Sequence, residues 1–242
     1  MLRPRFVLFG DSLTQRSFED GGFGAGLTSA YQRKADVVLR GYSGYNTRWA
    51  RLLLLKVFPV SSLVPAKLVT VFFGANDAAL PDRLGARQHV PVKEYSDNLR
   101  AIVEHVRRAG AEDVLLITPG PVHEPARVQH NREERGAAPS TEVPERTNAV
   151  AEQYAAAAKR VGQALDAPVL DLWTALQREP GWEALLSDGL HFNEAGQRAV
   201  REALLSFIAE RLPHLRPDAM PDDFPSHRDI DEACPADSFA ES

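Results

Sequence analysis

The chain has 242 residues, of which 44% are hydrophobic and 25% charged, and its formal net charge is −5. This mixture is typical of globular proteins and excludes collagen-like, coiled-coil and wholly disordered chains. A single cysteine, Cys234, also excludes an intrachain disulfide and a cysteine-based metal site. The negative charge is concentrated in residues 217–242, where eight acids stand against one base, so the nearly neutral remainder predicts no binding to nucleic acid.

The sequence has no apolar run near the roughly 20 residues that span a bilayer, so we expect no membrane span. Close to the N-terminus, the apolar stretch at residues 6–9 is much shorter than the core of a signal peptide, and a Gly-Asp pair follows it directly. These features predict a cytoplasmic protein whose first apolar stretch belongs to a strand.

Five short apolar runs, rich in β-branched residues, have the pattern of strands that are covered on both faces. In chain order they are residues 5–9, 36–40, 68–73, 113–117 and 167–172. Nearly continuous apolar runs of this kind favour a parallel sheet over an antiparallel sheet with one solvent face.

Between the later strands, apolar residues recur with the three- and four-residue spacing of an amphipathic helix. The alternation of strands and helices predicts an α/β protein with helices on both faces of a parallel sheet. We expect Asn193 to cap the last helix, because it directly precedes that periodic segment. The periodic positions are Tyr95, Leu99, Ile102, Val103 and Val106, then Val150, Tyr154, Ala157, Ala158 and Val161, then Val200, Leu204, Phe207 and Ile208.

Two stretches interrupt this alternation. Residues 119–146 form a long insertion after the fourth strand, and loops of such length are generally functional or disordered. Residues 217–242 are acidic and rich in proline but poor in aliphatic residues, which favours a solvated or loosely attached tail over a partner-binding segment. We therefore predict one domain over residues 1–216, followed by an acidic C-terminal tail.

The segments that follow the predicted strands are the places where an open parallel sheet binds its ligands. Residues 10–14, GDSLT, follow the first strand, and residues 41–47, GYSGYNT, follow the second. Residues 74–77, GAND, follow the third strand. Residues 187–191, SDGLH, come late in the chain, after the fifth strand and a helical stretch. Together these segments contain every group that an acyl-transfer site needs.

Three side chains in these segments form a candidate catalytic triad. A serine such as Ser12 becomes a good nucleophile only when a base removes its proton. Histidine is the usual base in such a site, and His191 is the candidate. Asp188 precedes His191 by three residues, which is close enough in a turn to orient the imidazole and to stabilise its cation.

An acyl-transfer site also needs hydrogen-bond donors for the negative oxygen of its tetrahedral intermediate. The backbone N–H groups of Ser12 and Gly44 and the side-chain amide of Asn76 are the candidates for this oxyanion hole. Glycine suits position 44, because a close approach to substrate leaves no room for a Cβ atom.

The order of these segments resembles that in the GDSL family of serine hydrolases. These are also called SGNH hydrolases, after a Ser, Gly, Asn and His that correspond here to Ser12, Gly44, Asn76 and His191. The resemblance implies a flavodoxin-like three-layer α/β/α sandwich with a five-stranded parallel sheet. It also implies a serine esterase, free of cofactor and metal, that hydrolyses small carboxylic esters of the short-chain acetate type through an acyl-enzyme. Longer stretches, at residues 9–15, 40–50, 72–78, 170–174 and 187–191, resemble the isoamyl acetate-hydrolysing esterases in particular.

Two other functions are compatible with the sequence. One is a metal-dependent phosphoesterase with Asp11, Asp77 and Asp188 as ligands, since all three follow predicted strands or lie in strand-end loops. We prefer the interpretation that Asp11 and Asp77 brace turns by hydrogen bonds to nearby backbone N–H groups. The other is a non-catalytic binding module that contacts its partner through the acidic tail.

Two further features invite a functional interpretation. Residues 21–26, GGFGAG, follow the first strand but do not match G-x-G-x-x-G, so we expect a turn and close helix packing rather than nucleotide binding.

Within the insertion, His123 and His130 are candidates to line the substrate entrance, because long loops beside a site often carry function.

Overall fold

A computed structural model describes residues 3–239 and contains, within them, one sheet of five parallel strands. The predicted parallel sheet is therefore confirmed. Its strand order is β2-β1-β3-β4-β5, which is the flavodoxin-like order with its crevice between the ends of β1 and β3. The strands are β1 (Arg5–Gly10), β2 (Asp36–Gly41), β3 (Ala66–Phe72), β4 (Asp113–Ile117) and β5 (Val169–Leu170).

Eight α-helices lie in the same part of the chain and connect or flank the strands. Along residues 3–239, none of them combines the length and the apolar character that crossing a bilayer requires. The helices are α1 (Ser12–Gln15), α2 (Phe23–Ala30), α3 (Thr47–Val57), α4 (Val92–Arg108), α5 (Glu124–Arg135), α6 (Asn148–Ala164), α7 (Leu172–Leu176) and α8 (Glu194–Arg211).

Apolar residues on both faces of the sheet are buried beneath helices. On one face, Phe6 and Leu8 of β1 pack with α2, α7 and α8, and on the other face Val7 and Phe9 pack with α3, α4 and α6. Neighbouring residues along a strand point to opposite sides, so a sheet covered twice must be apolar at nearly every position. Burial of each such side chain stabilises the fold by about 1.5–3 kcal/mol. The predicted three-layer α/β/α sandwich is confirmed.

Polar side chains cap the N-termini of two long helices, and the predicted cap at Asn193 is confirmed. Asn193 caps α8, because its Oδ1 accepts the N–H of Gly196 at 3.1 Å. Thr147 caps α6 in the same way, with Oγ1 accepting the N–H of Val150 at 3.2 Å. Residues 21–26 form a turn and the start of α2, which packs directly on α8, as expected for this glycine-rich segment.

The fifth strand is shorter than the predicted strand at residues 167–172. Asp171 ends it, since its Oδ1 accepts the N–H of Thr174 at 3.1 Å and thereby caps α7. The chain consequently turns into a helix at Leu172. This boundary is set by a local side-chain hydrogen bond, which an apolar pattern does not reveal.

Residues 119–146, predicted as a long insertion, contain the helix α5 and a short 3₁₀ turn at Pro139–Thr141. Hydrophobic periodicity does not predict this helix, because the residues that it buries are Arg127 and Asn131, one helical turn apart and both polar. The segment is therefore an ordered part of the fold rather than a structureless loop.

The acidic tail lies against the domain over its first residues. Met220 is buried in the core on the sheet face covered by α2 and α8. Lys34 donates a hydrogen bond to Asp222 at 2.8 Å. Most side chains between residues 221 and 239 are exposed. The division into a domain at residues 1–216 and a tail at residues 217–242 stays a prediction, with the beginning of the tail anchored by these contacts.

The helix α1 lies against the carboxyl ends of β1 and β2, where both strands end in glycine. A Cβ atom on Gly41 would lie 2.1 Å from the backbone nitrogen of Gln15, and one on Gly10 would lie 2.0 Å from Oγ1 of Thr14, both in α1. Glycine alone therefore permits this close approach. The N–H of Ser43 also donates to Oε1 of Gln15 at 2.9 Å, which ties the loop after β2 to α1.

Candidate active site

Ser12 is the first residue of α1, two positions beyond the last residue of β1. Asp11 caps this short helix, with its Oδ1 accepting the N–H of Leu13 at 3.0 Å. The cap fixes the turn at the point between β1 and β3 where an open parallel sheet binds ligands. Ser12 is 7% exposed and lies in the wall of a cavity.

His191 approaches Ser12 from the loop between α7 and α8. Its Nε2 lies 2.9 Å from Oγ of Ser12, although 179 positions separate the two residues. The loop is a tight turn in which the N–H of Ser187 donates to the carbonyl of His191 at 2.8 Å. Gly189 has a φ of +82°. A Cβ atom there would lie 2.4 Å from the carbonyl oxygen of His123, so the turn requires glycine on both grounds.

Asp188 orients His191 from within the same turn. Its Oδ2 accepts a hydrogen bond from Nδ1–H of His191 at 2.7 Å. Its Oδ1 accepts the backbone N–H groups of Leu190 and His191 at 2.9 and 2.8 Å. With a proton on Nδ1, the lone pair of Nε2 faces the hydroxyl of Ser12. The structure therefore brings all three predicted triad residues into hydrogen-bond contact.

Asp188 is largely buried, and its charge state depends on its neighbours. Burial alone would raise the pKa of Asp188, but the hydrogen bond from His191, the attraction of the imidazolium form of His191 and the positive charge of Arg127 lower that pKa well below its ordinary value. Nη1 of Arg127 lies 3.1 Å from Oδ2 of the carboxylate. Asp188 is consequently ionised at neutral pH, which is the state that stabilises an imidazolium.

Gly44, in the loop after β2, and Asn76, in the loop after β3, line the same cavity as Ser12. The amide of Asn76 is held at both ends, since Nδ2 donates to the carbonyl of Tyr45 at 2.9 Å and Oδ1 accepts from Nη2 of Arg146 at 3.1 Å. An amide nitrogen carries two hydrogens, so one N–H of Asn76 stays available to a ligand in the cavity.

The cavity has a volume of about 460 Å³ and a mainly polar wall, to which α5 contributes several residues. Leu84 and Leu190 are the aliphatic residues among those that line it. His130 of α5 lies in the wall, as expected from the sequence. The expectation for His123 is wrong, because its ring packs instead beside Trp182, with the ring centres 6.4 Å apart.

Three buried charged residues at this cavity, Arg127, Glu145 and Arg146, are absent from the sequence-based prediction. They are 6%, 2% and 5% exposed. Charged residues in a hydrophilic segment are generally exposed, so composition argues against a site there. The signal that could have found them is the unusual length of the segment at residues 119–146, directly after a strand end.

Asp11 and Asp77 brace turns, in agreement with the preferred interpretation. Oδ1 of Asp77 accepts the N–H of Thr47 at 3.0 Å, and the hydroxyl of Thr47 donates to the same oxygen. This contact ties the loop after β2 to the loop after β3. Among residues 3–239, no group of three or more His, Cys, Asp and Glu side chains is arranged to hold a metal ion.

Known proteins share both the sequence pattern and the fold. The profile of the GDSL-like lipase/acylhydrolase family matches residues 8–199, a range that includes all the candidate catalytic and oxyanion residues. A GDSL esterase/lipase of Arabidopsis thaliana is 44% identical over 242 residues, covering 99% of this chain and 99% of its own. An isoamyl acetate-hydrolyzing esterase 1 homolog of Homo sapiens is 40% identical over 238 residues, covering 97% of this chain and 91% of its own.

Solved structures share the fold of this chain. A lipase/acylhydrolase from Enterococcus faecalis superimposes with a TM-score of 0.65 at 27% identity, covering 86% of this chain and 96% of its own. A catalytic mutant of an acetylxylan esterase from Geobacillus stearothermophilus gives a TM-score of 0.60, covering 86% of this chain and 95% of its own. Its identity is 20%, so this second likeness concerns the fold alone.

The two buried carboxyls predict how stability depends on pH. Burial raises the pKa of Asp11 and of Asp77 from 3.8 to about 7. Between about pH 4 and pH 7 these carboxyls are therefore protonated in the folded protein but ionised in the unfolded chain, so the folded protein binds more protons. The stability that these groups contribute is fully present below this interval and is lost as the pH rises through it. Asp77→Asn removes one titrating group at nearly constant size.

The free energy of unfolding of Asp77→Asn should therefore decrease less than that of the wild type between about pH 4 and pH 7. Urea titrations at a series of pH values measure both proteins, and the comparison cancels the groups that titrate independently of Asp77. Parallel curves for the two proteins would show that the pKa of Asp77 is not raised.

Proposed function

The chain belongs to the GDSL-like lipase/acylhydrolase family and is a serine ester hydrolase, and on this premise we propose that Ser12, His191 and Asp188 are its catalytic triad. The observation that carries the proposal is the unbroken path of hydrogen bonds from the Ser12 hydroxyl through His191 to Asp188, in the wall of a cavity. Nucleophilic catalysis by serine requires contacts of this kind.

Acylation begins when Nε2 of His191 removes the hydroxyl proton of Ser12 as Oγ attacks the carbonyl carbon of the ester. A carbon–oxygen bond forms, the carbonyl π electrons move onto oxygen, and the imidazole becomes a cation. Asp188 accepts the Nδ1–H bond at 2.7 Å and stabilises that cation. The intermediate then collapses: the carbonyl re-forms, the bond from its carbon to the alcohol oxygen breaks, and His191 donates the proton to that oxygen, so that the acyl group stays on Ser12.

The negative oxygen of the tetrahedral intermediate is stabilised by an oxyanion hole. We assign this role to the backbone N–H groups of Ser12 and Gly44 and to Nδ2 of Asn76. Donors that are fixed before the reaction lower the barrier because no dipole has to reorient. The contacts of Asn76 with Tyr45 and Arg146 support the assignment, since they fix the direction of its amide.

Deacylation repeats these steps with water in place of the alcohol. His191 removes a proton from water as the water oxygen attacks the acyl carbon. The bond from that carbon to Oγ of Ser12 then breaks, and His191 returns the proton to Oγ. The products are a carboxylic acid and the free enzyme.

The proposed substrates are small esters with a short acyl group of the acetate type. The wall of the cavity is mainly polar, with Leu84 and Leu190 as its aliphatic residues, so a long hydrocarbon chain would bury little apolar surface there. The human relative, named for isoamyl acetate hydrolysis and 40% identical, supports the same acyl size. His130 and its neighbours in residues 119–146 form part of the wall, which supports a role for this segment in the choice of substrate.

The alternative functions are less well supported. A phosphoesterase would need Asp11, Asp77 and Asp188 as metal ligands, but Asp11 and Asp77 accept hydrogen bonds from backbone N–H groups and Asp188 contacts His191. Loss of esterase activity on treatment with a chelator would favour it. A non-catalytic binding module would have no turnover.

The cytoplasmic location stays a prediction, which fractionation of the source cells tests.

Ser12→Ala should abolish nearly all turnover of p-nitrophenyl acetate, because it removes the nucleophile. A fluorophosphonate should label the wild type at Ser12, as located by mass spectrometry, and should leave the variant unlabelled. Ser29→Ala, at an exposed position of α2, is the matched control and should keep the rate and the labelling of the wild type. A folded Ser12→Ala protein with the wild-type rate would refute the triad.

Asn76→Ala should lower kcat by on the order of 10²–10³, or about 3–4 kcal/mol of activation free energy. The KM should change much less, since the oxyanion forms only as the transition state is approached. Steady-state kinetics with p-nitrophenyl acetate measure both constants, and urea unfolding checks that the variant is folded. A decrease in kcat of less than about tenfold in the folded variant would contradict the role of Asn76.

The polar wall of the cavity also predicts a preference for short acyl chains. In the p-nitrophenyl series, kcat/KM should decline steadily from acetate through butyrate to octanoate, because the longer chains find little apolar surface. Initial rates at low substrate concentration measure this ratio directly. A higher kcat/KM for octanoate than for acetate would overturn the proposed acyl size.

A further inference from the structure

Four largely buried charged side chains form a continuous chain along the cavity, in the order Asp188, Arg127, Glu145, Arg146, and the last three also line the cavity wall. The side chains of Arg127, Glu145 and Arg146 are 7%, 3% and 6% exposed. Two carboxylates and two guanidinium groups balance one another in charge. Well-packed apolar residues of similar volume are often as stabilising as buried ion pairs, or more so. Stability alone therefore does not explain why charges occupy this place.

Glu145 is the junction of this chain. Its Oε1 lies 2.6 Å from Nη2 of Arg127 and accepts a hydrogen bond from Nη1 of Arg146 at 2.8 Å. Its Oε2 accepts a hydrogen bond from Nδ2 of Asn131 at 2.8 Å. Burial alone would raise the pKa of Glu145, but the charges of Arg127 and Arg146 lower it below its ordinary value. The carboxylate is thus ionised and has a partner on each oxygen.

The first arm of the chain runs from Glu145 to the triad. Nη1 of Arg127 lies 3.1 Å from Oδ2 of Asp188 and donates to the backbone carbonyl of Asp188 at 3.2 Å. The same Oδ2 accepts the Nδ1–H of His191. Arg127 therefore fixes both the side chain and the backbone of the residue that orients the imidazole.

The second arm runs from Glu145 to the oxyanion donors. Nη2 of Arg146 donates to Oδ1 of Asn76 at 3.1 Å and to Oε1 of Gln88 at 2.7 Å. Nε2 of Gln88 in turn donates to the carbonyl of Gly44 at 3.0 Å. A single guanidinium group thereby positions the two loops that carry the proposed oxyanion donors Gly44 and Asn76.

We propose that Glu145 is a positioning residue that sets, through Arg127 and Arg146, the geometry of the base and of the oxyanion hole together. The inference rests on the proposed function of this site and makes the two halves of the site interdependent. The base and the oxyanion donors must act on the same carbonyl group at the same moment, and a displacement of about 1 Å can cost 10²-fold in rate. His191 and Asn76 come from separate loops, and the buried charges connect those loops.

Glu145→Gln tests the proposal, because it keeps the size of the side chain but removes the charge that both guanidinium groups face. The kcat for p-nitrophenyl acetate should fall by about 10²-fold, with a much smaller change in KM. The matched control is Glu142→Gln, in the same segment, whose carboxylate pairs with Arg132 at the surface. This control should leave both constants unchanged.

A purely structural role predicts a different result. Urea unfolding identifies conditions in which Glu145→Gln is fully folded, and there a residue needed only for stability would leave kcat unchanged. A folded Glu145→Gln protein with kcat within twofold of the wild type would therefore overturn the proposal.

A double-mutant cycle provides a second test, which also decides the question if Glu145→Gln does not fold. Arg127→Lys and Arg146→Lys each keep the positive charge but lose the planar fork that spans two partners. Each should lower kcat, and the double variant should lose less than the product of the two single losses, because the first change already breaks the connection. Independent, multiplicative losses would show that the two arms act separately and would overturn the joint role of Glu145.

Fluorophosphonate labelling separates failure of this inference from failure of the proposed function. The wild type and Glu142→Gln should label at Ser12 at the same rate, and Glu145→Gln should label more slowly. Absence of labelling in the wild type would overturn the proposed function and this inference with it. Labelling of the wild type and of a folded Glu145→Gln protein at equal rates would overturn this inference alone.

Discussion

The hydrogen bond between Ser12 and His191, 2.9 Å long, is the contact on which the chemistry of this protein depends. It joins the loop after the first strand to a loop near the start of the last helix of the sandwich. Parallel strands deliver their following loops to the same edge of the sheet, so residues 179 positions apart meet there. Gly10 and Gly41, which end β1 and β2, have no side chain and so allow α1, which begins with Ser12, to lie directly against the ends of these strands.

Buried carboxylates around this contact have opposite properties, and the difference lies in their partners. Asp188 accepts hydrogen bonds from His191 and faces the positive charge of Arg127, and these contacts keep its carboxylate ionised despite burial. Asp77 has Thr47 as its principal hydrogen-bond partner, a neutral donor, so burial dominates and raises its pKa to about 7. Asp188 is therefore the anion that faces the imidazole, whereas Asp77, a residue of the same type, connects the loop after β2 to the loop after β3.

Much of the fold and the centre of the site are predictable from local sequence patterns. The five strands, the long helices and the Asn193 cap follow from hydrophobic spacing and capping chemistry, which act over a few residues. The fold class, the family and the serine hydrolase activity are confirmed. The length of β5 and the helix at Glu124–Arg135 escape such patterns. In the first case a side-chain cap ends the strand, and in the second the buried face is polar.

The sequence by itself determined the alternation of elements and which short segments carry a nucleophile, a base and amide donors, because these depend on neighbours along the chain. Only the tertiary structure decided that Arg127, Glu145 and Arg146 are buried. Arg127 pairs with Asp188 across 61 positions, and Arg146 with Asn76 across 70. A charge can be buried only where the folded chain brings it a partner, and no local pattern in a hydrophilic segment reveals that partner.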